Sequence, residues 1–184
     1  QFLVQCLVAI HKSRTKINDP NELISSPKEK KLLIKSWERA SKGINKTIEF
    51  LSGEIRWTSS ALIPSFGALI PLIFLISKGR KLSSKQRKLA RKWLILSCVH
   101  GYFSGSSMSD IDHLLKYLKN EPTIEKLWWL SKSDLPRLTE KNFDTNRKSG
   151  AIMSLYKSYL INSGAKDWFK KTPLDNSVRG HSSG

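Results

Sequence analysis

Cysteine is nearly absent from this chain. Cys6 and Cys98 are its two thiols, and neither belongs to a CxxC pair, which excludes the common zinc and dithiol redox motifs. Both lie in apolar runs, the setting of small buried hydrophobes, and so sparse a usage fits a reducing, cytoplasmic compartment. Histidine is scarce as well: His11, His100, His113 and His181 are far apart. There is no glycine-rich phosphate loop, nucleophile elbow or HExxH helix. No catalytic residue, metal or cofactor is therefore expected in this chain, and an activity of its own is not. Ten glycines and seven prolines are too few for a collagen-like or linker-dominated polymer. The longest apolar run, Ala61 to Ile76, falls short of the about 20 residues a membrane span needs, and Pro64, Gly67 and Pro71 interrupt it. A buried core helix is expected there, with no membrane contact. The first residue is Gln1 rather than Met, and residues 1 to 10 read as the middle of an apolar helix without a signal peptide's basic start. The expectation is a segment of a longer protein.

Acidic residues are the other shortage. Fifteen Asp and Glu face thirty-two Lys and Arg, leaving a formal charge of +17. A surplus of that size attracts polyanions over long range. Hydrophobic residues make up 39% of the chain, six tryptophans and seven phenylalanines among them, enough for a packed core and against wholesale disorder.

Periodicity predicts helices throughout. A helix over residues 1 to 17 turns basic toward its end and stops at Asn18-Asp19-Pro20. Ser26-Pro27-Lys28-Glu29 has the form of a helix start, serine cap before proline. The helix it opens runs to about Leu51 with Leu33, Trp37, Ala40, Ile44, Ile48 and Leu51 inward, and Gly53 suits its stop. An extended stretch over 55 to 63 precedes a helix from about Phe66 to Ser77, ended by Gly79. Ser83 or Ser84 caps the next, which continues to about Phe103 with Leu89, Trp93, Leu96, Val99, His100 and Phe103 inward. Gly101 stands near its end. Further helices are expected over 110 to 118, where Ser109 and Asp112 form a capping pair, through Ile124 to Leu130, over a short piece at 139 to 143, and over 151 to 162. In the last of these Leu155, Tyr159 and Leu160 point inward and Gly164 is the stop. No hairpin signal or internal repeat occurs. The fold class is all-α, an irregular bundle of about six to eight helices over residues 1 to 170, with a polar tail or linker over 171 to 184.

Lys78, Arg80, Lys81, Lys85, Arg87, Lys88, Arg91 and Lys92 form a run of eight cations without an acid. On the helix beginning near Ser84, Lys85, Lys88 and Lys92 share one face and Arg87 and Arg91 the adjoining one, opposite Leu89, Trp93 and Leu96. Such a face suits phosphate contacts, which give affinity without sequence reading. A solvated helix face is the plainer account of it. A second basic set, Lys28, Lys30, Lys31, Lys35, Arg39, Lys42 and Lys46, is interrupted by Glu29 and Glu38, whose local salt bridges would absorb part of it. Asp110-Ile111-Asp112-His113 does not converge on one ion, because consecutive helical residues point apart; the two aspartates suit a helix N-terminus instead. His100, on an apolar face, reads as a satisfied core histidine. Trp128-Trp129 offers a base-stacking surface, though paired tryptophans are more often core.

The stretch Trp93-Leu94-Ile95-Leu96-Ser97, then His100-Gly101-Tyr102-Phe103-Ser104-Gly105-Ser106-Ser107, then Asp110 and Asp112, resembles the "W…S…G(R)YSGSS…D" segment of the GmrSD-like family, relatives of modification-dependent (type IV) restriction endonucleases. Ile63-Pro64-Ser65 with Leu69-Ile70-Pro71-Leu72 is similar to that family's "lps…lipl" segment. Phe143 to Lys148, Leu155-Tyr156 and Gly164 to Trp168 resemble the approach to its C-terminal domain. Gly101 precedes Tyr102 where family members often carry arginine. The resemblance implies a helical region between a ParB-like N-terminal domain and an HNH-type nuclease domain. Neither the DGQQR-type motif nor the nuclease histidine motif is in this sequence, so no catalytic residue carries over, and His181 would stand just upstream of the nuclease motif.

Two functions follow as expectations. One is a helical domain that holds DNA backbone, or acts as a scaffold, for a GmrSD-like defence nuclease whose flanking domains cut. The other is a structural connector that couples flanking domains and turns its positive surface to an acidic neighbour.

Overall fold

The computed structural model describes residues 1–79, 81–103, 108–142, 150–166 and 171–174. Among them there are seven α-helices: α1 (Phe2–Lys12), α2 (Pro27–Phe50), α3 (Leu69–Ser77), α4 (Ser84–Val99), α5 (Met108–Leu118), α6 (Ile124–Ser131) and α7 (Gly150–Asn162). Single helical turns at Pro20–Leu23, Ser60–Leu62 and Glu140–Asn142 punctuate the connections. The one extended pairing among the described residues is an isolated antiparallel bridge between Lys166 and Pro173. The protein is all-α.

Helix α3 organises the bundle. Every residue from Leu69 to Ile76 is buried, because α1 and α2 cover one side of it and α5 another. A helix apolar all round belongs in such a place, and each large side chain there contributes about 1.5–3 kcal/mol by leaving water. Pro71 is tolerated because it lies in the first turn, where backbone N–H groups have no helical partner. Around this centre α4 packs on α6 and α7, while α5 joins α3 to α6. Trp93 of α4 is fully buried and donates its indole N–H to Ser131 Oγ at 2.9 Å.

Helix ends follow local chemistry. Ser26 Oγ accepts from Glu29 N, and Ser83 forms a reciprocal capping box with Gln86. After α4, Gly101 at φ 61° takes the left-handed turn while Tyr102 N bonds Ser97 O at 2.9 Å and Gly101 N bonds Cys98 O. Gly164, φ 70°, closes α7 the same way, with Ala165 N on Leu160 O. Among the described residues no helix is long and apolar enough to cross a membrane.

Several expectations are corrected. Helix α1 stops at Ser13, which adopts φ 56° and bonds Ala9 O, well before Pro20. Thr15 then turns to Asp112, giving both its N–H and its hydroxyl to Oδ1, the latter at 2.7 Å; Asp112 thus ties α5 to the segment after α1. Beyond α2 the chain widens through an underwound π turn, Leu51–Ile55, and the left-handed stop is Arg56, not Gly53. Helix α3 begins at Leu69, not Phe66, and the extended stretch before it contains a helical turn. Helix α4 ends at Val99, short of Phe103. On α2, Trp37 is 45% and Ile48 56% exposed; Ser36, Ala40, Gly43, Thr47 and Phe50 face inward. On α7, Tyr159 is 67% exposed, and Ala151, Ser154 and Ser158 are buried in its place.

Cys6 and Cys98 are both buried, and burial pushes each thiol up to about 12. The reactive species is the thiolate, so neither cysteine should react with a thiol reagent at pH 8 in the folded protein, and both should react once denaturant is added. Fast labelling of the native chain would contradict this burial.

Candidate nucleic-acid interface

The capping box at Ser83 fixes the start of α4 and with it the direction of its cations. Lys85, Lys88, Arg91 and Lys92 are exposed, while Ala90, Trp93, Leu94 and Leu96 turn inward. The flanking cations are engaged. Arg87 Nη1 pairs with Glu54 Oε1 of the π turn at 3.3 Å, and its Nε donates to Leu82 O. The Lys92 ammonium lies 4.6 Å from the centre of the Trp128 ring of α6. Lys78 at the end of α3 sits 4.6 Å over Phe74; burial first, and then the charges of Arg39 and Lys119, push its ammonium below the usual lysine range. Lys81 lines a cleft with Lys46, Glu49, Glu54 and Arg87. Arg80 lies outside the described residues. The expected run therefore spreads over a surface from the end of α3 along α4.

The larger basic feature is on α2. Lys28, Lys31, Lys35, Arg39, Lys42 and Lys46 recur at intervals of three and four residues, so they share one side of the helix. All six are exposed. The eighteen steps from Lys28 to Lys46, at about 1.5 Å rise each, make a stripe of about 27 Å. None of the six forms an ion pair among the described residues. Glu29, expected to neutralise part of this set, faces α1 instead: its Oε2 lies 3.2 Å from both Lys12 Nζ and His11 Nε2. Hydrogen bonding from Lys12, with further help from the Lys12 and His11 charges, holds the Glu29 carboxyl below its ordinary range. Glu38 stands at the edge of the stripe. Lys46 and Arg87 line the same cleft, so the α2 stripe and the α4 surface meet. Linear counting of acids against bases hid this feature; the three-and-four spacing of the cations was the signal for it.

The remaining candidates sort by surroundings. His100 Nε2 lies 2.9 Å from Pro136 O, so this half-buried histidine is satisfied by a backbone carbonyl. His113 stacks edge-on with Tyr117. No three His, Cys, Asp or Glu side chains cluster as a metal site among the described residues. Trp128 is half-buried against the core, as expected of a core residue, but Trp129 is 60% exposed, with Lys126 Nζ 5.0 Å from its ring centre. His181 and the segments 104–107, 143–149 and 167–170 lie outside the described residues. No family model, curated protein or solved structure matches the chain.

Proposed function

We propose that this chain is a helical domain that holds the backbone of duplex DNA for a GmrSD-like restriction or defence nuclease, itself contributing no catalytic group. The observation that carries the reading is the α2 stripe, six exposed cations along about 27 Å with no ion pair among the described residues. At 3.4 Å per base step that length matches about eight phosphates of one strand. Lysines and arginines so arranged neutralise phosphates without reading bases, which suits a domain that positions DNA while others cut it.

The family assignment rests on the residues that resemble it, and several of these have structural work. Trp93 closes on Ser131, Ser97 O receives the turn after α4, and Gly101 makes that turn. Such positions support a shared helical scaffold rather than shared chemistry.

Fluorescence anisotropy of the 184-residue chain with a short labelled duplex, across a salt series, tests the reading. Six neutralised phosphates should give log affinity against log salt a slope of about −5. Absence of binding at low salt would overturn it and leave the connector reading. That alternative is favoured by the exposed apolar side chains Leu3, Val4, Ile48 and Phe66, which a neighbouring domain would cover.

A further inference from the structure

Beside the α4 surface a second cleft, about 460 Å³, is lined by Lys92, Trp128, Lys132, Leu135, Pro136 and Arg137. Three of these are cations, one is an indole, and no acid is among them. Lys132 and Arg137 are exposed, and Trp128 is half-buried, with its inner part against the core. We infer that this cleft accepts an unpaired nucleotide, its base stacked on Trp128 and its phosphates held by Lys92, Lys132 and Arg137. The inference rests on the duplex-holding reading only for the source of the strand: Lys92 belongs to both α4's basic face and the cleft, so a single strand leaving a duplex on α4 enters beside Trp128.

The chemistry of the lining selects this ligand. A planar π face next to several cations matches a base joined to phosphates. An acidic peptide has no need of the ring, and a lipid surface needs more apolar area than one indole edge. The Lys92 ammonium now over Trp128 is held by a weak surface cation–π contact. An arriving base displaces it from the ring, and the ammonium then meets the phosphate of the same nucleotide. The cleft thus exchanges one partner of Lys92 for another, while Trp128 gains a stacked base.

The test compares a blunt duplex with the same duplex bearing an oligothymidine overhang, using anisotropy for affinity and tryptophan fluorescence for stacking. The overhang should bind about tenfold more tightly than the blunt end, the effect of one stacked base, and should quench part of the emission. Trp128→Phe keeps an aromatic ring in the core and should remove that quench. Lys132→Glu with Arg137→Glu, both at exposed positions, should return overhang affinity to the blunt level and leave blunt binding nearly unchanged. Equal affinity for both ends without a quench, while blunt duplex still binds, overturns the nucleotide cleft alone. Binding and quenching by free oligothymidine without any duplex affinity overturns the duplex reading and supports the cleft. If no probe binds, both fall.

Discussion

Reversing four charges on α2 (Lys31→Glu, Lys35→Glu, Arg39→Glu and Lys42→Glu) should lower duplex affinity about a thousandfold at moderate salt. A cation and a phosphate about 4 Å apart in water gain about 1 kcal/mol, so four lost contacts amount to about 4 kcal/mol, or close to three factors of ten. The slope of log affinity against log salt should fall from about −5 to about −2, because four fewer counterions are released. Each reversal subtracts two charges, taking the formal net charge from +17 to +9, so the chain stays basic and a general loss of attraction does not account for the change. Thermal stability should move little, since all four side chains are exposed and form no ion pair among the described residues. Reversal of Lys85, Lys88 and Arg91 on α4 is the matched comparison. If that set abolishes binding and the α2 set does not, the interface is α4 and the α2 stripe is a solvated face.

The energetics of the stripe itself bear on this choice. Like charges at three- and four-residue spacing disfavour an isolated helix by about 0.2–0.5 kcal/mol per pair. Consecutive members of the stripe give five such pairs: 28/31, 31/35, 35/39, 39/42 and 42/46. Their repulsion sums to roughly 1–2.5 kcal/mol. Solubility is served as well by interleaved signs, which carry no such cost. The acid able to relieve the first turn, Glu29, is spent on Lys12 and His11 to hold α1 against α2. A stripe left repulsive in the free protein is relieved by a polyanion, and only along its whole length by an extended one.

The sequence disclosed what local chemistry decides. Ser26 and Ser83 as caps, Gly164 as a left-handed stop, and α3 as the buried centre all follow from a few neighbouring residues. The cations of α4 were legible for the same reason: no acid lies among them, and Leu89, Trp93 and Leu96 mark the opposite face. What remained hidden depends on partners distant in the chain. Hydrophobic periodicity places Trp37 and Ile48 inward on α2, yet the buried face is Ser36, Ala40, Gly43 and Thr47, with Ser36 Oγ 3.1 Å from His11 Nδ1 of α1 and Gly43 against Ile73 and Ser77 of α3. Helix α3 brings a continuous set of large side chains, so its partner must be small for the backbones to approach. The hydroxyls are no obstacle, because Ser36 Oγ bonds Leu32 O and Thr47 Oγ1 bonds Gly43 O, each at 2.8 Å within α2. Helix α7 repeats the pattern, with Ser158 Oγ on Ser154 O inside and Tyr159 outside. A small polar face satisfied by its own helix carries no hydrophobic signal. The α2 stripe is obscured in the sequence for a related reason: Glu29 stands among its cations, and only the fold hands that carboxylate to Lys12 and His11 of α1.

Gly43 is where this close approach is tightest, and Gly43→Leu should destabilise the protein by about 3 kcal/mol or more. A Cβ added there would stand 2.9 Å from Ser77 Cβ and 3.0 Å from Ile73 O. Neither is the tip of a flexible side chain, and Ile73 O belongs to the backbone of α3, itself packed against α1 and α5. Gly43→Ala separates two opposing effects. Alanine favours the helix by about 1 kcal/mol over glycine, while overpacking costs about 1–3 kcal/mol, so the alanine variant should be neutral to modestly destabilised. For a chain of this size 3 kcal/mol lowers Tm by about 6–12 °C, readily measured by calorimetry or circular dichroism. Ser77→Gly in the Gly43→Ala background removes the nearer contact and leaves Ile73 O. A double-mutant cycle should therefore recover only part of the overpacking cost. A Gly43→Leu protein as stable as the parent would mean that α2 and α3 slide apart freely, and the small face of α2 would then not be what holds the basic stripe in line with α4.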